Sequence, residues 1–174
     1  MLGFVESGIT LDFPTQMWFR FEKTEPYKSL SQFSFKEMDA CWFDDTLAGN
    51  ETLYSIELKD FSHANAVEES NVTKRKYNIV KKNIDALQML LSAVFETDFG
   101  QRLERQFHVD LHSTSIKIVL ITIINVPAED AQMVMALKEE CQRLLKPYLR
   151  IWGFVDCHIL TYEQAKKYYG TFVK

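Results

Sequence analysis

At 174 residues, 47% of them hydrophobic and 13% aromatic, the chain carries enough apolar surface for one packed core, which argues against disorder. A charged fraction of 25% is ordinary, and a formal net charge of −4 excludes a protein that coats nucleic acid through bulk positive charge, while leaving room for a local basic cleft. Met1 to Asp12 shows neither a basic leader nor a sustained apolar stretch, and the longest apolar run, Ile116 to Ile124, is too short to span a bilayer and is broken by Lys117 and Thr122. Cys41, Cys141 and Cys157 are odd in number, far apart and without CxxC spacing, so reduced thiols in a cytoplasmic, non-membrane protein are expected.

No repeat, low-complexity tract or flexible linker divides the sequence, and residues 1–174 read as a single domain. Met17 to Glu22 alternates apolar and charged residues as a strand does, although Pro14-Thr15 is an equally good helix opening. Phe33 to Phe43 alternates again, Asp44 to Asn50 has turn composition, and Leu53 to Phe61 follows as the second arm of a hairpin. The texture then becomes helical: Val80, Ile84, Leu87, Leu91 and Val94 recur at steps of three and four. A shorter helix from Asp98 is expected to pack Phe99, Leu103 and Phe107.

Ile116 to Ile124 is rich in β-branched residues and nearly continuous in apolarity, the pattern of a central strand buried on both faces. Pro127, Glu129 and Asp130 open a helix with Val134, Leu137, Cys141 and Leu144 as its buried stripe, and Pro147 is expected to stop it. Leu149 to Leu160 reads as a strand, and Thr161-Tyr162-Glu163-Gln164 has capping-box spacing for a last helix ending at Gly170. Alternation of this kind predicts an α/β fold, bordering on α+β, with a mixed sheet flanked by helices.

The chemistry-bearing residues cluster in the hairpin. Side chains alternate along a strand, so Glu57 and Lys59 share one face while Ile56 and Leu58 take the other. If the register brings Asp39 to the charged face, two carboxylates and an ammonium converge. Two carboxylates suit a hard divalent cation that keeps several waters, and a lysine beside it orients water or stabilises charge developing on a phosphate. The alternative makes Glu57 and Lys59 the solvent face of an edge strand, with Asp39 a neighbouring surface charge.

Glu57-Leu58-Lys59 is the sole acidic-x-Lys tripeptide in a chain with 24 acidic residues. With Met38-Asp39 ahead of it across a turn, and a helix and then a strand behind it, the stretch from Ser31 to Asn125 resembles the PD-(D/E)XK nuclease superfamily, the restriction-endonuclease-like fold. The resemblance implies such a core with a C-terminal αβα extension. It implies that Asp39 and Glu57 ligate Mg2+ or Mn2+, with the Leu58 carbonyl as a further ligand, and that Lys59 assists the attacking water. Met38 stands where the family has Pro. Asp44, Asp45 or Glu22 could join or replace Asp39.

Lys74, Arg75, Lys76, Lys81 and Lys82 open the helix beside this site and could contact the phosphate backbone of a nucleic acid, or form a solvated helix face. His108-Val109-Asp110-Leu111-His112 reads as a polar connection rather than a metal site. Cys157 and His158 are adjacent and so point to opposite sides of a strand, which is poor geometry for a nucleophile and its base. A metal-dependent nuclease is the expected function, and a non-catalytic module that binds a protein partner is the alternative.

Overall fold

A computed structural model describes residues 3–45, 51–62, 69–107 and 116–174, with the side chains of 69–72 and 107 excepted. The two N-terminal strands, β1 (Gly3–Glu6) and β2 (Ile9–Asp12), form a separate two-stranded hairpin. Its turn places Ser7 and Gly8 at φ 55° and 71°, the left-handed pair that matches the twist of a tight hairpin. The main sheet follows: β3 (Trp18–Phe19), β4 (Ala40–Asp44), β5 (Thr52–Asp60), β6 (Lys117–Asn125) and β7 (Val155–Thr161), laid side by side in chain order. Strand β4 is antiparallel to both of its neighbours, whereas β5, β6 and β7 run parallel. This is the α/β mixed sheet flanked by helices expected from the alternation of elements.

Parallel neighbours need crossovers, and α2 (Glu69–Val94) with α3 (Asp98–Phe107) provides the first, α4 (Ala131–Ile151) the second. Successive right-handed crossovers that advance in one direction put their helices on the same face. Accordingly α2 and α4 cover the face formed by Cys41, Phe43, Leu53, Leu120, Cys157 and Ile159. The opposite face, with Trp42, Ile56, Leu58 and Ile121, is covered by the β1–β2 hairpin, α5 (Tyr162–Tyr169) and Phe172. Residues 118–124 of β6 are all buried, as its β-branched run foretells, although the middle strand of the five is β5.

Several boundaries depart from the sequence reading. Met17 to Glu22 is neither a full strand nor a helix: it holds the two residues of β3 and the start of a 3-10 turn, Phe21–Lys23. Next comes α1 (Glu25–Ser31), capped by the Thr24 hydroxyl with Pro26 in its first turn; this N-cap and proline pair was visible in the sequence and unused. The strand expected over Phe33 to Phe43 shrinks to Ala40–Asp44, because α1 occupies the residues before it and Ser34 turns the chain at φ 60°.

Pro147 does not stop α4, which runs on to Ile151, so β7 begins at Val155 rather than Leu149. The proline is exposed, so the break in the helix hydrogen-bond ladder that it causes lies on the outer side of α4. In α2 the expected stripe is only partly buried at Ile84 and Val94, while Ile79, Asn83, Ala86, Leu90 and Ala93 are each 0% exposed. A helix wedged between a sheet and two other helices buries more than one stripe, and the deepest line here carries an asparagine. The α5 capping box is present as expected, Thr161 and Gln164 satisfying each other's backbone N–H. Among the described residues no helix is long and apolar enough to cross a membrane.

Candidate functional site

The β4–β5 ladder ends at the Ala40–Ile56 pair, and Asp39, one residue ahead of β4, takes over from it. Its Oδ2 accepts the Leu58 N–H at 2.7 Å, so a side-chain acceptor replaces the next rung and locks the carboxylate against β5. Cys41, Ser55 and Glu57 share the helix-covered face with Asp39, and Ile56 and Leu58 pack behind it among the aromatics. Strand alternation thus places Asp39, Glu57 and Lys59 together. The edge-strand alternative fails, since β5 is the middle strand and the Glu57 side chain is 0% exposed.

Glu57 is partnered from two sides. Lys82 of α2 donates to Oε2 at 2.8 Å and also lies 2.8 Å from Oε1, which ion-pairs with Lys59 as well. Lys82 Nζ is 3.6 Å from Asp39 Oδ1, so both carboxylates face one ammonium. Oε1 nevertheless accepts no well-directed hydrogen bond despite being fully buried. Burial, followed by the neighbouring Asp39 charge, pushes the Glu57 carboxyl up to about 7 against the pull of the two lysines. The Lys82 ammonium is held above its ordinary range: burial opposes the charge, and Glu57 and Asp39 overcome that opposition.

A second carboxyl with an unpartnered buried oxygen stands nearby. Glu37 is likewise raised to about 7, by burial first and then by Glu22 and Asp39, and its Oε2 has no hydrogen-bond partner. Glu22, on the 3-10 turn, pairs with Arg20 at 3.3 Å and Lys23 at 3.2 Å. Asp44 and Asp45 do not join: Asp44 pairs with Thr52 at the far end of the β4–β5 ladder, about 13 Å of strand away from the Ala40–Ile56 rung. The Leu58 carbonyl gives one lone pair to the Ser7 hydroxyl at 3.3 Å, a contact from the N-terminal hairpin that no local pattern announces.

The five basic residues at the start of α2 separate. Arg75 and Lys82 turn to a pocket of about 330 Å3 beside the carboxylates, which Lys36, Lys59, Asp60 and Asn78 complete. Arg75 lies over the buried Phe61 ring at 4.1 Å, and its buried Nη1 has no hydrogen-bond partner. Lys76 is drawn away to Glu140 of α4 at 3.4 Å, and Lys81 to Asp85 at 2.6 Å. Lys74 is exposed. Lys36 was not singled out from the sequence, because its neighbourhood read as strand and its partner segment lies 49 residues on, where Asp85 accepts its backbone N–H.

Deeper under α2, Asn83 donates to the Ile79 carbonyl and lies 3.4 Å from the Thr122 hydroxyl, extending the polar layer to β6. Cys157 and His158 do point to opposite faces of β7. Burial raises Cys41, Cys141 and Cys157 to about 12, so these three free cysteines are packing residues rather than nucleophiles. Burial also keeps His158 below its ordinary value, and its Nδ1 meets the Tyr169 hydroxyl. The span His108 to His112 lies outside the described residues.

Among the described residues no three of His, Cys, Asp and Glu gather around one point, so the donor set at this site is two carboxylates. Such a set suits Mg2+ or Mn2+, which are held by one or two carboxylates and otherwise by water and substrate phosphate. Glu57 Oε1 lies 2.8 Å and Asp39 Oδ1 3.6 Å from Lys82 Nζ, so an ion held between these oxygens would displace that ammonium. Compared with protein-family models, curated proteins and solved structures, the chain has no match.

Proposed function

We propose that the chain is a metal-dependent nuclease that hydrolyses phosphodiester bonds in nucleic acid, with a site of the PD-(D/E)XK kind on a restriction-endonuclease-like core. The observation that carries this reading is the convergence of Asp39 and Glu57 on one ammonium at the edge of a pocket walled by Lys36, Lys59, Arg75 and Lys82. The succession also fits the resemblance: an aspartate at the start of one strand, an acidic-x-Lys tripeptide on the adjacent strand, then a helix and a parallel strand.

In this reading Asp39 and Glu57 hold Mg2+ or Mn2+, and when bound the ion supplies Lewis acidity and an activated water. Asp39 is fixed by the Leu58 N–H, so its free oxygen is already aimed. Lys36 and Arg75 seat the phosphate backbone. Lys59, adjacent to Glu57, stabilises the charge that develops on the phosphoryl oxygens, and Lys82 is placed to pass its charge from the carboxylates to the phosphate. Excluding bulk water from the buried base of the pocket strengthens each of these interactions.

One observation favours a second reading, a non-catalytic module on the same fold: Lys59 and Lys82 neutralise the two carboxylates without any ion. Two measurements separate the readings. The nuclease should cleave DNA or RNA in Mg2+ or Mn2+, stop with chelator, and stop again in Asp39→Asn, Glu57→Gln and Lys59→Ala. Calorimetry should find metal binding lost in the two carboxylate variants and kept in Lys59→Ala. A folded wild-type protein inactive on single- and double-stranded DNA and RNA, and binding neither ion, would leave the module as the account.

A further inference from the structure

A cleft opens where α4 and α5, on opposite faces of the sheet, both reach β7. It holds about 350 Å3 and is lined by Lys138, Gln142, His158, Leu160, Tyr168 and Tyr169, room enough for a single-ring molecule. Lys138 and Gln142 are one turn apart on α4, and His158 and Leu160 two residues apart on β7, so each pair projects the same way. Tyr168 and Tyr169 close the α5 end. Tyr168 is 67% exposed, whereas Tyr169 is held against Tyr54 and Phe172 at 6.0 and 5.5 Å between ring centres.

The polar groups of this cleft lack partners. Among the described residues the Lys138 ammonium and the Gln142 amide make no hydrogen bond or ion pair. The Tyr169 hydroxyl meets His158 Nδ1 and no other acceptor, so the phenol donates and the ring proton sits on Nε2, itself without a partner among the described residues. Burial keeps the imidazole neutral, and the nearby Lys138 charge acts in the same sense, against Asp156. Asp156 is ion-paired with Lys117 at 2.6 Å, and Glu139 lines the adjacent cleft with Arg143, Lys146 and Arg150 rather than this one. Lys138 is therefore the one charge in the lining.

We infer that this cleft binds a small aromatic carboxylic acid, its carboxylate held by Lys138, the His158 Nε2–H and the Gln142 amide, and its ring packed among Leu160, Tyr168 and Tyr169. One ammonium with neutral donors balances one negative charge, whereas a phosphate monoester brings nearly two. A metal ion finds no ligands, because no carboxylate lines the cleft and the imidazole lone pair is engaged by the Tyr169 hydroxyl. A cationic ligand would meet Lys138. The cleft shares no lining residue with the proposed catalytic pocket, and its ligand does not depend on nuclease activity.

The test titrates the full chain with benzoate, phenylacetate and hydrocinnamate, followed by calorimetry and by the 15N resonances of the His158 ring. At least one acid should bind with a Kd of about 1 mM or tighter, as roughly ten heavy atoms allow, and shift the Nε2 resonance while the ring stays neutral. Phenylacetamide, benzylamine and phenyl phosphate keep the ring but change the charge, and each should bind about tenfold or more weakly. Lys138→Met, which keeps the side-chain stem on α4, should weaken the acid about tenfold. Tyr168→Ala, which removes an exposed ring, should weaken it several-fold. Failure of all three acids to bind, binding without a shift at His158, phenylacetamide or phenyl phosphate binding as well as the acid, or an affinity unchanged in Lys138→Met overturns the inference.

Discussion

The two faces of the main sheet are built from alternate residues of the same strands, yet they differ in kind. Under the β1–β2 hairpin and α5 the packing is apolar and aromatic: Trp42 stacks on Tyr54 at 5.3 Å between ring centres, with Phe13 and Phe172 against them. Apart from Thr24 at the α1 cap, the buried polar residues Asp39, Ser55, Glu57, Asn83, Asp85 and Thr122 lie on the other side, within α2 or beneath it. A domain of this size needs no charged layer to hold a sheet and helices together, and a buried carboxylate is costly unless paired. Both faces bury apolar residues, but only the one beneath α2 also holds charge in a fixed place.

Mutations sharpen that contrast. The largest effect belongs to catalysis: Asp39→Asn keeps an oxygen for the Leu58 N–H, so it should lower nucleic-acid cleavage by about a hundredfold or more with little change in melting temperature. Equal loss of stability and activity would count against a functional charge there. On the aromatic face the pattern should invert, Trp42→Ala lowering stability by about 3–5 kcal/mol in urea titrations while the remaining folded protein keeps its metal affinity.

Lys82→Met, which leaves Asp39 and Glu57 facing each other without their shared ammonium, should cost about 3 kcal/mol near neutral pH and much less at pH 5, where Glu57 takes up a proton. A penalty independent of pH would show that the loss is one of packing. The gentlest test is the pH dependence of the metal-free protein. Glu57 and Glu37 are raised from 4.5 to about 7, so between those values the folded state holds protons that the unfolded state has released. Stability should therefore fall as pH rises through this window, by about 1 kcal/mol per pH unit from Glu57 and less from the half-exposed Glu37, and Glu57→Gln should flatten the slope.

The elements with strong local periodicity were legible in the sequence: the β4–β5 hairpin, α2, β6, α4 and α5. The shared face of Asp39, Glu57 and Lys59 was legible too, because strand alternation and a hairpin register are nearly local properties. What escaped reading is long-range. The Lys82 contact with Glu57 spans 25 residues, the Ser7 contact with Leu58 spans 51, and the diversion of Lys76 to Glu140 spans 64. A run of five basic residues on a helix looks uniform until the neighbouring helix supplies a carboxylate for one of them. Asn83 was hidden for another reason: a stripe chosen by apolarity skips the polar residue at its centre.

The closure of the aromatic face has a kinetic side. The strands β3 to β7 neighbour one another in chain order, so most of the main sheet assembles over short or moderate loops. The N-terminal hairpin cannot dock in that way. Asp12 N–H bonds to the Phe172 carbonyl, Lys174 N–H to the Thr10 carbonyl, and Leu11 bridges Val173. These contacts close a loop of nearly the whole chain, the most costly in chain entropy that the molecule contains. The aromatic face should then form last in refolding, with Trp42 reporting it as a slow fluorescence phase after Trp152, on the helix-covered side, has already settled.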